Sequence, residues 1–237
     1  MNKFKKENDF VVSLTPYRIS LGGGGTDLPF YSKLKGGNLI TAAINQYCKV
    51  SIARRYFDSK ILIQTSRIQF PKNIEEIDND IIKGCFRYFN IKSGVHLSSF
   101  TTIPTNIGLG SSSSFVVGIV NCLLKITGKK LSPFQIGHLS HYLERELIGL
   151  AGGVQDNYIA SLGGIQSLKV DKLGKVTSTP LFITKKNQKM IENHLVIVFT
   201  NIKRDSHNII NAQETELEKT VRVYDQIKEI GYHSIEL

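Results

Sequence analysis

The chain predicts an α+β fold. Three observations point there. Strand-like segments with partial alternation fill much of the first hundred residues, helix-spaced apolar positions recur between Ser112 and Leu162, and the pattern turns strand-like again after Gly163 and Gly164. Val11–Ser20 and Ala42–Arg54 carry β-branched and aromatic residues and read as strands, and Lys60–Thr65 is a short apolar third. Asn79–Phe89 reads as a helix, and His96–Ile103 as a strand ending at Pro104. The next helix runs from Ser112 to Thr127 and stops at Gly128, which accepts a left-handed cap. Ser132-Pro133-Phe134-Gln135 is a capping box with proline in the first turn, and Ile136, Leu139, Leu143 and Leu147 follow at helical spacing. This register puts Glu144 near a helix end, before the Ala151-Gly152-Gly153 turn, and Asp156 at the start of a helix over Asn157–Leu162. Ile165–Val170 and Lys175–Ile183 read as hairpin strands, Leu195–Thr200 as a buried strand, and Ser206–Ile230 as a long amphipathic helix.

Composition narrows the function classes. With 237 residues, 41% of them hydrophobic, the chain can bury a sizeable core in one large domain or two small ones. The net charge of +10 suits anionic partners, yet the lysines are scattered. No basic stripe interleaved with aromatics exists, which argues against nucleic-acid binding. Cys48, Cys85 and Cys122 are odd in number and lack a C-x-x-C spacing, which argues against a disulfide framework or a zinc site and suits a reducing cytoplasm. The basic start gives way to Glu7 and Asp9, and no apolar run of membrane-spanning length follows, so neither export nor a membrane span is expected. His138 and His141 lie three apart on one helix but have no third ligand nearby.

The stretch P-T-N-I-G-L-G-S-S-S-S-F, Pro104–Phe115, carries the strongest chemical signal. Two glycines and four serines precede an apolar helix. The first N–H groups of a helix lack intrahelical acceptors and stand at the positive end of its dipole, so an anion placed there gains several hydrogen bonds. Pro104, Gly108, Leu109, Gly110, Ser111, Ser112, Ser113 and Ser114 are therefore candidates for binding the phosphates of a nucleotide. The loop is not a Walker A motif, because serine stands where the lysine would be.

Two further segments give this loop a context. P-Y-R-I-S-L-G-G-G-G-T-D, Pro16–Asp27, and E-R-E-L-I-G-L-A-G-G-V-Q-D-N-Y, Glu144–Tyr158, stand in order with it, and together the three resemble the GHMP family of small-molecule kinases. The longer forms R-I-S-L-G-G-G-G-T-D-L-P and F-T-N-I-K-R-D-S-H-N-I-I look most similar to the branch that phosphorylates heptose 7-phosphates. The resemblance implies a ribosomal protein S5 domain 2-like first domain over residues 1–170, followed by the start of a ferredoxin-like second domain over 171–237 that lacks the family's third glycine-rich motif. It implies ATP and Mg²⁺ as cofactors and a sugar phosphate as the small-molecule partner. The last helix is expected to lack sheet partners for its apolar face, with homodimerisation through exposed apolar surface as one outcome.

Roles follow by motif position. The resemblance makes Asp156 the base toward the sugar hydroxyl, or the carboxylate that orients it, although by itself an aspartate at a helix start reads first as a dipole-stabilising residue. Arg18 becomes the cation beside base and phosphate, with a surface ion pair as its rival role. Ser112 and Glu144 match the magnesium ligands, and Glu146 competes with Glu144 on the same helix. Gly24, Gly25, Thr26, Asp27 and Gly153 are the expected sugar contacts, and Arg204 or Lys203 would hold a distal phosphate. Where galactokinases carry G-E-H-T-D, this chain has G-G-G-T-D, which disfavours galactose and implies room for a larger sugar. A kinase for another hexose and a non-catalytic relic stand as alternatives.

Overall fold

A computed structural model describes residues 9–101, 103–104, 107–198 and 217–236. Seven strands form one sheet: β1 (Phe10–Gly22), β2 (Gly37–Arg54), β3 (Ile61–Gln64), β4 (Ile68–Gln69), β5 (Val95–Thr101), β6 (Ile165–Val170) and β7 (Val176–Pro180). Its spine is β2. On one edge β1 follows it antiparallel from Phe10↔Ala53 to Gly22↔Ile40. On the other edge β5 pairs with residues 48–54 and β6 with residues 37–42. β3 lies parallel to β5, and β7 closes the far side as a hairpin partner of β6. The domain boundary expected after residue 170 thus falls in the turn of a hairpin whose two strands belong to this sheet.

Helices cover one face. These are α2 (Asp80–Tyr88), α3 (Ser111–Thr127), α4 (Pro133–Tyr142) and α5 (Gln155–Leu162), while α1 (Pro29–Lys35) links the first two strands. The alternation in β2 and β5 sends Val50, Ile52, Val95 and Leu97 inward, onto Val116, Ile119, Val120 and Leu123 of α3. Each such side chain contributes about 1.5–3 kcal/mol on leaving water. Gly118 sits where α3 meets β2, and a Cβ there would stand 2.8 Å from Val50, so the helix packs close to the sheet. The opposite face is open, with Phe10, Val12, Leu14 and Phe100 exposed.

Most predicted elements are present within a residue or two, and the capping box at Ser132 and Gln135 forms both of its bonds. Four differences have physical causes. α1 begins at Pro29, whose fixed φ suits a first turn, but it is too short to show apolar periodicity. A second short helix, α6 (Lys185–His194), has no buried residue and therefore no apolar stripe to read. Leu195–Val198, expected within a buried strand, is neither paired nor buried; Val196 is 82% exposed. An apolar run becomes a strand only when another strand's ladder receives it, and no described strand does so. The last helix, α7 (Leu217–Glu236), is not left without partners: Tyr224, Val221 and Ile227 pack on Leu28, Phe30 and Tyr31, and Gly231 lies against the Asn38 carbonyl. Arg204, Lys203, Thr200 and the first part of the predicted final helix lie outside the described residues.

Candidate active site

The site gathers where β1, the start of α3, the end of α4 and the start of α5 meet. The β1 register slips between Pro16 and Arg18. Such a bulge re-aims side chains. Here it leaves Tyr17 in the core, its hydroxyl 2.6 Å from that of Thr101, while Arg18 reaches Asp156. The guanidinium grips the carboxylate in a fork, Nε to Oδ1 at 2.6 Å and Nη2 to Oδ2 at 2.9 Å, and Nη1 donates to the Gly108 carbonyl. Burial opposes the arginine's charge, but Asp156 outweighs it and holds Arg18 above its ordinary value. One cation therefore joins the glycine-serine loop to the carboxylate at the start of α5.

Gly110 is the N-cap of α3, at φ 74° and ψ 28°. This left-handed conformation suits glycine, and a Cβ would meet the Asp156 carboxylate at 3.2 Å. The cap supplies no side-chain acceptor, and the first turn contains no acidic residue. The leading N–H groups of α3 are thus left uncapped by side chains beside Asp156 and Arg18, where an anion would be received. Gly108 and Leu109 bring their carbonyls to Arg18, Pro104 stands exposed at the loop's start, and Ser114 donates to the Pro16 carbonyl at 2.8 Å, anchoring α3 to β1.

The two glutamates differ in burial because a π-helical turn, Leu143–Leu147, ends α4. Such turns insert an extra residue and often mark functional positions. Glu146 is exposed, whereas Glu144 is fully buried and faces the loop. Oε1 accepts from Ser112 Oγ at 2.7 Å, and Oε2 accepts from Ser113 Oγ and from Asn157 Nδ2, each at 2.7 Å. The carboxylate is asymmetric: one oxygen is anchored by two donors, the other shares a single exposed serine. Ser112 Oγ and Glu144 Oε1 form a pair of hard oxygens that fits the small share of ligands a protein gives Mg²⁺ beside nucleotide phosphates. No cluster of three or more His, Cys, Asp or Glu that could cage a metal occurs among the described residues.

Asp27 lies beside this centre but is 5% exposed. Gln155 N–H donates to its Oδ2 at 2.8 Å, so the carboxylate caps the first turn of α5. Gly153 is stacked on it; a Cβ would fall 2.1 Å from Oδ2. Thr26 is fully buried and its hydroxyl is engaged with the backbone of Gly23 and Asn38, which makes it a turn-former. Gly25 abuts Tyr224 and Gly24 abuts Ser20. The T-D pair therefore ties the turn after β1 to the helix that carries Asp156.

Burial raises the Asp27 carboxyl above its ordinary range, the Gln155 bond opposes this, and the Asp156 charge adds to it. A carboxyl raised on folding binds its proton more tightly in the native state, so its burial costs stability as pH rises through the unfolded value and the native one. Asp27→Asn keeps an acceptor for Gln155 and should unfold at higher urea than wild type at pH 8, with the gap closing toward pH 4. A lower midpoint at pH 8 would contradict this. His141 works in the opposite direction. Burial and the nearby Arg145 charge push its imidazole down to about 4. The native state then holds fewer protons than the unfolded one, and stability falls as pH drops from about 6.5 toward 4. His141→Gln should flatten that acid limb in a series of urea unfolding curves.

Arg145 and Asn157 were not singled out by the sequence. Arg145 stands between two glutamates, which reads as a solvated charge run, and Asn157 follows a more conspicuous aspartate. The signal available for both was the register of α4 and α5 relative to Glu144.

Residues 80–164 match the GHMP kinases N terminal domain. The chain belongs to the GHMP kinase family. A D-glycero-alpha-D-manno-heptose 7-phosphate kinase of Campylobacter jejuni is 30% identical over 229 residues, which cover 91% of this chain and 67% of that protein. A galactokinase of Enterococcus faecalis is 28% identical over 94% of this chain, which spans 60% of its length. The crystal structure of a D-glycero-D-manno-heptose 1-phosphate kinase from Bacteroides thetaiotaomicron shares the fold, with a TM-score of 0.69 at 24% identity over 89% of this chain and 74% of that one. No helix among the described residues is long and apolar enough to cross a membrane.

Proposed function

We propose that the chain is an ATP-dependent sugar kinase that transfers the γ-phosphate to the anomeric hydroxyl of a heptose 7-phosphate, with nucleotide and sugar bound within residues 1–170. The observation that carries this reading is the Arg18–Asp156 fork laid against Gly108 and Gly110. It puts a carboxylate next to an uncapped helix N-terminus. When bound, Mg-ATP supplies the transferable phosphoryl group and the charge that positions it. Ser112 Oγ and Glu144 Oε1 would hold the metal, and the first N–H groups of α3 would receive phosphate oxygens. Asp156 takes the hydroxyl proton of the sugar, and Arg18 both orients that carboxylate and offsets charge developing on the phosphoryl oxygens. Asp27 and Gly153 shape the sugar side by fixing where α5 begins.

The absence of the acidic and histidine residues of G-E-H-T-D supports a sugar other than galactose. A coupled ADP-release assay across heptose 7-phosphate, galactose and mevalonate tests the assignment. The heptose phosphate should exceed galactose in kcat/KM by about a hundredfold or more, as expected where one site holds polar groups matched to its substrate. Galactose as the better substrate would overturn the branch, turnover of mevalonate alone would overturn the sugar assignment, and no turnover of any of the three would overturn the kinase reading.

A further inference from the structure

Arg145 has no part in the chemistry above, yet it touches Glu144, Ser113 and the 150–152 segment that leads to Asp156. Its side chain is 12% exposed. Nη1 donates to the carbonyls of Ala151 at 2.8 Å and Leu150 at 3.3 Å. Nη2 donates to Ser113 Oγ at 3.3 Å and stands 3.5 Å from Glu144 Oε2. Gly152 lies flat on the guanidinium, where a Cβ would come within 2.4 Å of Cζ. Arg145 is the cation beside the buried Glu144 carboxylate, yet its shorter contacts, to the Ala151 and Leu150 carbonyls and Ser113 Oγ, lie elsewhere, so pairing with that charge is only part of what it does here.

We infer, resting on the kinase reading, that Arg145 is a positioning residue: it fixes the 150–153 segment against the serine loop and Glu144, and so sets where α5 starts and where Asp156 stands. The chain of contacts is continuous. The guanidinium holds the carbonyls of residues 150 and 151, Gly153 rests on Asp27, Asp27 caps Gln155, and Asp156 follows. Only a planar fork serves both sides of this junction. A lysine ammonium reaches one cluster of acceptors but cannot span two carbonyls and a serine hydroxyl in one plane. The neighbouring Glu146 is exposed and carries no such constraint.

The test uses Arg145→Lys and Arg145→Gln in the full chain. Amide hydrogen exchange over residues 149–156, without ligand, should speed up about tenfold in both variants, as expected when a local segment loses its tether. With ATP and the heptose phosphate, kcat should fall about a hundredfold while KM for the sugar changes less than about threefold, because misplacement by an ångström acts on the reacting geometry. The lysine variant retains the charge and is expected to keep the wild-type urea midpoint, so it carries the test if the glutamine variant fails to fold. Unchanged exchange over 149–156, or full kinetic rescue by lysine, would overturn the inference. If wild type transfers phosphate to no sugar, the functional reading fails, and the exchange comparison alone decides whether Arg145 sets this segment.

Discussion

Asp156→Asn is expected to lower kcat by about 10²- to 10⁴-fold, the range associated with loss of a positioned general base. Nucleotide affinity should remain within about threefold of wild type, because in the proposed role the carboxylate would act on the sugar hydroxyl mainly in the transition state. The substitution preserves volume and one acceptor for Arg18, and the helix that carries it keeps its Asp27 cap. Global stability should therefore change far less than rate. Single-turnover kinetics, calorimetry with a nonhydrolysable ATP analogue and urea unfolding on one preparation separate these quantities. Parallel losses of rate, nucleotide affinity and stability would mark Asp156 as a structural helix-start residue instead.

Glu144 should show the reverse pattern. Its carboxylate is fully buried and receives donors from Ser112, Ser113 and Asn157, with the Arg145 guanidinium nearby. Glu144→Ala leaves those donors and a buried cation without their acceptor, and removing one member of such a buried arrangement costs about 3–5 kcal/mol. Glu144→Gln keeps the volume but turns an NH₂ group toward at least one donor, so it should destabilise less while abolishing magnesium-dependent nucleotide binding. Urea unfolding of both variants, with nucleotide titrations in magnesium and in excess chelator, tests each arm. A loss below about 1 kcal/mol in the alanine variant would mean that the carboxylate is not integral to the junction.

Local chemistry made much of this site readable. Gly108, Gly110 and the four serines announce an anion-receiving helix start because the backbone geometry they permit is specific, and the capping box at Ser132 fixed the register that places Glu144 near the end of α4. Asp156 was legible only through the family's motif, since an aspartate at a helix start by itself reads first as a dipole-stabilising residue. Tertiary contacts were not. The π turn that buries Glu144 and exposes Glu146 leaves no compositional mark, and Arg145 between two acids looks like any solvated charge run. Asp27 was expected to face the sugar, but Gly153 and Gln155 cover its carboxylate, a contact between residues far apart in the chain. Leu195–Val198 shows the limit of reading apolar runs, since whether they become strands depends on a partner edge that lies elsewhere.

The long spine strand also dictates an order of events at birth. Residues 37–42 of β2 emerge early, yet their partner on one edge is β6, residues 165–170. Synthesis at about 5–20 residues per second leaves that edge waiting on the order of ten seconds for its mate. During this interval the neighbouring half of β2 can already zip to β1 and β5, so the nascent chain carries a half-built sheet with an open, apolar margin at Leu39 and Ile40. Such a margin invites strand addition from other chains. The protein should therefore be more prone to aggregate when translation slows between α3 and β6 than when it slows after Val170, a vulnerability of timing that its finished form conceals.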